Sequence, residues 1–132
     1  MKKIISILGS TGSVGVTTLK IIEKKKNLFK INLLSANDNY NLICDQITKY
    51  NPFFFLIFNF KIFQKVKKKF KGSKVKIINS LNDEIFIKKN DITISAISGL
   101  AGLEPTIYFI KKSKKILIAN KESIICGWDL IN

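Results

Sequence analysis

A chain of 132 residues makes about one domain, long enough to bury a core and too short for a second full domain. With 46% hydrophobic residues it reads as a packed globule rather than a disordered segment. The balance of 23 basic against 9 acidic side chains gives +14, yet every basic residue is lysine. Without arginine's planar fork that charge argues poorly for nucleic-acid readout, and no nucleic-acid partner is expected.

The N-terminal Met1-Lys2-Lys3 leads into a short apolar run, Ile4 to Leu8, interrupted by Ser6 and ended by Gly9. Nowhere does an apolar run reach the roughly 18 to 20 residues that span a bilayer, so neither a membrane segment nor a signal peptide is expected. "KIISIL" itself, short and β-branched, reads as a first strand. Ser13 to about Lys25 follows as a helix, with Val14, Leu19 and Ile22 available for one face and "EKKKN" as a charged stop. "KINLLS" is a second strand. "NYNLICDQITKY" then sets Leu42, Ile43, Ile47 and Tyr50 at helical spacing and is ended by Asn51-Pro52.

"FFFLIF" reads as a third strand. The helix after it, Phe60 to Lys71, holds the densest lysine run, Lys65 to Lys71. Phe60, Phe63, Val66 and Phe70 recur there at three and four residues, which makes one face apolar and leaves the lysines a solvated face. Lys, Asn, Ile and Phe are abundant along the whole chain, so the net charge carries little functional weight. "KVKII" is a further strand, Asn79 to Asn90 a short capped helical stretch, and "DITISAI" another strand. "GLEPTIYFIKK" carries Pro105 in its first turn, as a helix start allows, "KKILIAN" is a last strand, and "KESIICGWDLIN" begins one more helix. The two cysteines, Cys44 and Cys126, lie far apart, with no C-x-x-C pair and no histidine. Zinc and disulfide frameworks are therefore poor readings, and a reducing cytoplasm fits best. Alternating strands and helices, with strands continuously apolar, predict α/β architecture: a doubly wound, mostly parallel sheet with helices on both faces, Rossmann-like.

The stretch "ILGSTGSVG", Ile7 to Gly15, lies where the first strand turns into the first helix. Such a turn needs free φ, and an anion approaches a helix N-terminus closely only where no Cβ stands in the way. Gly9, Gly12 and Gly15 are expected to supply the turn, the close approach and the helix-to-strand packing. Backbone N–H groups around Thr11 to Val14, with the Thr11 and Ser13 hydroxyls, would then hold a pyrophosphate at the positive end of the helix dipole. The spacing G-x-x-G-x-x-G is a variant of the dinucleotide fingerprint, and the missing G-K-[ST] argues against nucleotide hydrolysis.

"AISGLAGLEPT", Ala96 to Thr106, and "ILIANKES", Ile116 to Ser123, each follow a strand and should share the carboxyl edge with Gly9 to Gly15. With "LGSTGS" they make the chain, Met1 to Asn132, resemble the N-terminal NADPH-binding domain of the 1-deoxy-D-xylulose 5-phosphate reductoisomerase family. The resemblance implies one domain, 1–132, that binds NADPH. It matches Thr11, Gly12, Ser13 and Val14 to the pyrophosphate loop, and Asn37, Asp38 and Asn39 to the segment meeting the adenosine ribose and its 2′-phosphate. It matches Asn120 and Glu122 to cofactor contacts near the nicotinamide, and Lys121 to a lysine reaching the sugar-phosphate substrate. An ammonium at a strand's carboxyl end, beside a phosphate-binding helix, suits an anionic substrate on independent grounds.

Two departures stand out. The family commonly has a basic residue where this chain has Asp38, and a carboxylate there repels a 2′-phosphate while it can accept from a bare ribose, which leaves NADPH against NADH open. The family's metal and catalytic domain is absent from these residues, and with it any catalytic residue. Its divalent Mg or Mn is expected only with that domain, because acids here are scattered singly and the one adjacent pair, Asp83-Glu84, diverges. A fragment, a truncated product and half of a split enzyme with a separate catalytic-domain chain all fit. The family also implies a homodimer for the full enzyme and a role in isoprenoid precursor synthesis by the non-mevalonate pathway. The alternatives are a non-catalytic or degenerate dinucleotide-binding module, and a fragment of another Rossmann oxidoreductase such as a semialdehyde dehydrogenase. That last would need a nucleophilic cysteine, whereas Cys126 reads as packing.

Overall fold

The computed structural model describes residues 2–81, 90–97 and 113–118. Within them run β1 (Lys3–Leu8), α1 (Ser13–Lys24), β2 (Phe29–Ala36), α2 (Tyr40–Tyr50), β3 (Phe54–Ile57), α3 (Phe60–Lys69), β4 (Lys76–Ile78), β5 (Asn90–Ser95) and β6 (Ser113–Ile118). The strands form one six-stranded sheet in the order β4-β3-β2-β1-β5-β6, and each neighbouring pair is parallel.

Side chains alternate between the faces of a strand, and here both sets are buried. Ile5, Ile7, Leu34, Phe55 and Ile57 point to the face that carries Leu19 and Ile22 of α1, Ile43 and Ile47 of α2, and Val66 of α3. Leu8, Leu33, Phe54 and Leu56 point to the other face and are just as buried. This double burial is what makes the strands read as unbroken apolar runs. Each fully buried Leu, Ile or Phe contributes roughly 1.5 to 3 kcal/mol of transfer free energy. Helices expected over Asn79 to Asn90 and from "GLEPTIYFIKK" lie wholly or mostly outside the described residues, as does the one begun by "KESIICGWDLIN". Among the described residues β4 and β6 are the outermost strands, and Lys76 on β4 and Lys114 and Lys115 on β6 are exposed.

The register between β1 and β2 slips between Ile5 and Ser6, leaving Asn32 as an extra residue. Asn32 Nδ2 donates to Asn90 Oδ1 at 3.0 Å, and Ser6 Oγ donates to the same oxygen at 3.0 Å. Asn90 Nδ2 in turn donates to Thr93 Oγ1 (3.2 Å), whose hydroxyl is bonded to that of Ser113. One chain of side-chain hydrogen bonds thus crosses β2, β1, β5 and β6 in the interior, where unpaired polar atoms would be costly.

Some local expectations are revised. Val14 is 42% exposed and Phe60 57% exposed, so neither lies on its helix's buried face. In α1 Gly15 takes the inward position, and in α3 Ile62 packs with Phe63 and Phe70 against the core. The third strand shortens to Phe54–Ile57, with Phe53 and Phe58 exposed at its ends. The Lys65 to Lys71 run is exposed apart from Val66 and Phe70, and Lys65 and Lys69 lie over the ring of Tyr40 while Lys67 lies over Phe63.

Candidate functional site

From β1 the chain steps outward through β2, β3 and β4, and β5 then pairs on the other side of β1. Strand order therefore reverses at β1, and in open parallel sheets ligands bind beyond the carboxyl ends at such a reversal. The glycine loop, Gly9 to Gly15, lies at that point.

Its three glycines do three different things. Gly9 has φ +86°, a left-handed conformation, and a Cβ there would stand 2.8 Å from the carbonyl oxygen of Ala96 at the exit of β5. Gly15 could carry no Cβ without running into the Gly9 carbonyl oxygen and approaching Ser10 Cα to 2.6 Å. It lets the first turn of α1 lie directly on the loop, so the packing predicted against the strand is made against the turn instead. Gly12 differs from both. Its φ of −78° and ψ of 172° suit any residue, and the nearest heavy atom to a Cβ would be Gly9 O at 3.7 Å. Nothing among the described residues requires glycine at position 12, where a Cβ would make one ordinary van der Waals contact.

The loop is held from behind. Gly9 N donates to Ser35 Oγ (2.9 Å) and to Ser35 O (3.1 Å), and Ser10 N donates to Ser35 O (2.8 Å). Ser10 is fully buried, and its hydroxyl donates to Gln46 Oε1 at 2.7 Å while Gln46 Nε2 donates back to Ser10 O at 2.9 Å. Ser10, Ser35 and Gln46 escape a reading by motif. Gln46 sits among the apolar positions of α2 and meets a residue 36 positions away.

The helix starts give the electrostatics. Asn39 Oδ1 caps α2 by accepting from Leu42 N (3.3 Å), and Asn59 Oδ1 caps α3 by accepting from Ile62 N (3.0 Å). At α1 the capping position is Gly12, which has no side chain to offer, and no acidic residue stands in the first turn. The N–H groups of that turn thus face outward with neither cap nor opposing charge, the arrangement that receives an anion. Gly12, Ser13 and Val14 are exposed and Thr11 is half-buried.

Asn37, Asp38 and Asn39 follow β2 at the same carboxyl edge, next to the loop, and all three are exposed. Asn59 N donates to Asn37 O (3.2 Å), which fixes the backbone there. Asn39's carbonyl is engaged in capping α2, so its free amide hydrogens are what it can offer a ligand. Ile118, the last residue of β6, pairs with Ser95, itself level with Leu8, so β6 ends at this edge too. Asn120, Lys121 and Glu122 lie just outside the described residues, as do Asp83, Glu84 and Cys126. Among the described residues no three His, Cys, Asp or Glu side chains come together to hold a metal ion, and no helix is long and apolar enough to cross a membrane.

Fold and loop together define a Rossmann-like α/β domain with an anion-receiving helix start at its topological switch point. The chain belongs to the 1-deoxy-D-xylulose 5-phosphate reductoisomerase family, whose model matches residues 5–127. It is 45% identical to the reductoisomerase of Pelagibacter ubique over 99% of this chain and 34% of that one, and 43% identical to that of Buchnera aphidicola over 96% and 33%. Among solved structures it resembles the Zymomonas mobilis reductoisomerase in complex with NADPH, with a TM-score of 0.89 and 30% identity over 99% of this chain and 35% of that one. A DOX-P reductoisomerase in complex with NADPH, fosmidomycin and magnesium matches with a TM-score of 0.82 and 31% identity over 98% and 33%. The chain thus spans about a third of the length of these relatives.

Proposed function

We propose that residues 1–132 form the dinucleotide-binding domain of a 1-deoxy-D-xylulose 5-phosphate reductoisomerase, an NADP-dependent enzyme of non-mevalonate isoprenoid synthesis. The reaction rearranges 1-deoxy-D-xylulose 5-phosphate and reduces the product to 2-C-methyl-D-erythritol 4-phosphate. The observation that carries this reading is the start of α1 at the β1–β5 reversal, without a side-chain cap and opened by a glycine whose Cβ position meets no described atom closer than 3.7 Å.

These residues fit NADPH, which when bound supplies the hydride for the reduction. The N–H groups of Thr11, Ser13 and Val14, with the Thr11 and Ser13 hydroxyls, hold the pyrophosphate against the helix dipole, while Gly12 N donates to Gly9 O (3.4 Å) and leaves room for its approach. Asn37, Asp38 and Asn39 meet the adenosine ribose, where the Asp38 carboxylate weighs against a 2′-phosphate. Family resemblance adds Asn120 and Glu122 near the nicotinamide and Lys121 on the substrate's phosphate. Magnesium or manganese belongs to the two-thirds of the relatives' length that this chain does not span, and the homodimer is likewise a family property. We place the protein in the cytoplasm, in keeping with Cys44 as a free, buried thiol.

The test is a fluorescence titration of NADPH against the wild-type protein and Gly12→Val, with circular dichroism as the folding control. A folded variant with its NADPH affinity lost is expected. Unchanged affinity would overturn the assignment.

A further inference from the structure

The geometry points to Gln46 as a positioning residue for cofactor binding: from the interior of α2 its amide orients the Ser10–Thr11 peptide, and with it the first donor presented to the pyrophosphate. The inference rests on the reading of the glycine loop as the pyrophosphate site. Gln46 is 4% exposed, in a helix otherwise buried through Ile43, Cys44 and Ile47. A buried primary amide must satisfy its polar atoms, and Gln46 does so on a single residue of the loop.

The orientation of that amide follows from its partners. Ser10 O can only accept, so the group 2.9 Å from it is the Nε2 donor. Oε1 then faces the Ser10 hydroxyl at 2.7 Å and takes its proton in preference to Ser35 O, which stands at 3.2 Å. Both ends of the Ser10 residue are thereby fixed, its side chain and its carbonyl. No peptide among the described residues is cis, and in a trans peptide the N–H points opposite to the C=O. With Ser10 O turned toward Gln46, the N–H of Thr11 is turned away from α2, toward the side on which Gly12, Ser13 and Val14 are exposed. Ser35 performs the complementary task by holding the N–H groups of Gly9 and Ser10. Release of the Gln46 clamp frees the Ser10–Thr11 peptide, while Gly12 N still donates to Gly9 O at 3.4 Å.

A residue that only stabilised the fold would affect every ligand alike. Gln46, acting on the pyrophosphate donor, should matter for NADPH and not for adenosine 2′-monophosphate, which lacks the pyrophosphate. We would titrate both ligands into the full-length wild-type protein, Gln46→Met and Gly12→Val, with thermal unfolding as the control. The expected result is a roughly tenfold rise in Kd for NADPH in folded Gln46→Met, the scale of one charge-assisted N–H bond, with the Kd for adenosine 2′-monophosphate within about twofold of wild type. Unchanged NADPH affinity, or a parallel loss for both ligands, overturns the role. Should Gln46→Met fail to fold, Gln46→Glu keeps the volume and still accepts from the Ser10 hydroxyl while it sets an acceptor against Ser10 O. The same selective loss is then expected, and the same two results overturn it. The Gly12→Val arm separates two failures. If it too binds NADPH as wild type does, the loop reading itself is wrong; if it loses NADPH while Gln46→Met does not, only the Gln46 role falls.

Discussion

Gly12 and Gly15 lie three residues apart, yet alanine should be tolerated at the first and costly at the second. A methyl group at Gly15 meets the Gly9 carbonyl oxygen and comes to 2.6 Å from Ser10 Cα and 2.8 Å from Ser10 C. These are backbone atoms pinned by Ser35 and Gln46, so the loop cannot yield and α1 must move. Overpacking of this kind costs up to about 3 kcal/mol, and the helix propensity gained by alanine returns about 1, so Gly15→Ala should lose about 2 kcal/mol. At this chain length that corresponds to a fall in Tm of roughly 6 to 10 °C. Gly12→Ala meets nothing closer than 3.7 Å and keeps an allowed backbone. There the smaller unfolded-state entropy of alanine and its poorer capping roughly cancel, for a net change within about 0.5 kcal/mol. Thermal melts of both variants beside wild type decide the matter. A Gly15→Ala variant as stable as wild type, or a Gly12→Ala variant destabilised equally, would show that the loop does not set these costs.

Two further outcomes follow from single carboxylates. Asp91 accepts from Ile4 N at 2.8 Å and pairs with Lys114 Nζ at 3.2 Å, contacts that hold its carboxyl below the ordinary aspartate value of 3.8. Its contribution to stability is therefore present above that value and lost as pH falls through the lowered one, so the stability gap between wild type and Asp91→Asn should close on acidification below about 3.8; denaturant melts showing a constant gap from neutral to acid pH would contradict this. Asp38→Lys should raise the ratio of NADPH to NADH affinity by about tenfold or more, measured at two salt concentrations; a ratio that does not move would remove Asn37 to Asn39 from the ribose site.

The parts of the fold legible in the sequence are those with a local physical cause. Short apolar runs set between polar segments became strands, the first of them β-branched and ended by Gly9, and the helical spacing of Ile43, Ile47 and Tyr50 became α2. The glycine triplet was legible because the absence of a Cβ is itself the signal, although the partner of Gly15 proved to be the loop rather than the strand. What escaped depends on pairing across distance. Asn32 falls in the second strand and Asn90 at the end of an expected helical stretch, and only the bulge in β2 and the pairing of β5 beside β1 bring these residues, 58 positions apart, together. Gln46 gives no signal of its own, since no local pattern distinguishes a glutamine facing water from one facing Ser10. Asn39, matched by resemblance to the ribose segment, also caps α2, a role visible only in the hydrogen bonds.

Whether the cofactor's pyrophosphate meets the start of α1 can be read from amide NMR of the isotopically labelled protein during titration with NADP+. The largest shifts are predicted at Thr11 to Gly15, with a second group at Asn37 to Asn39, and they should persist when salt is raised because they report local contacts. Shifts concentrated instead on the exposed lysines from Lys65 to Lys71, fading with salt while the loop amides stay still, would contradict the account.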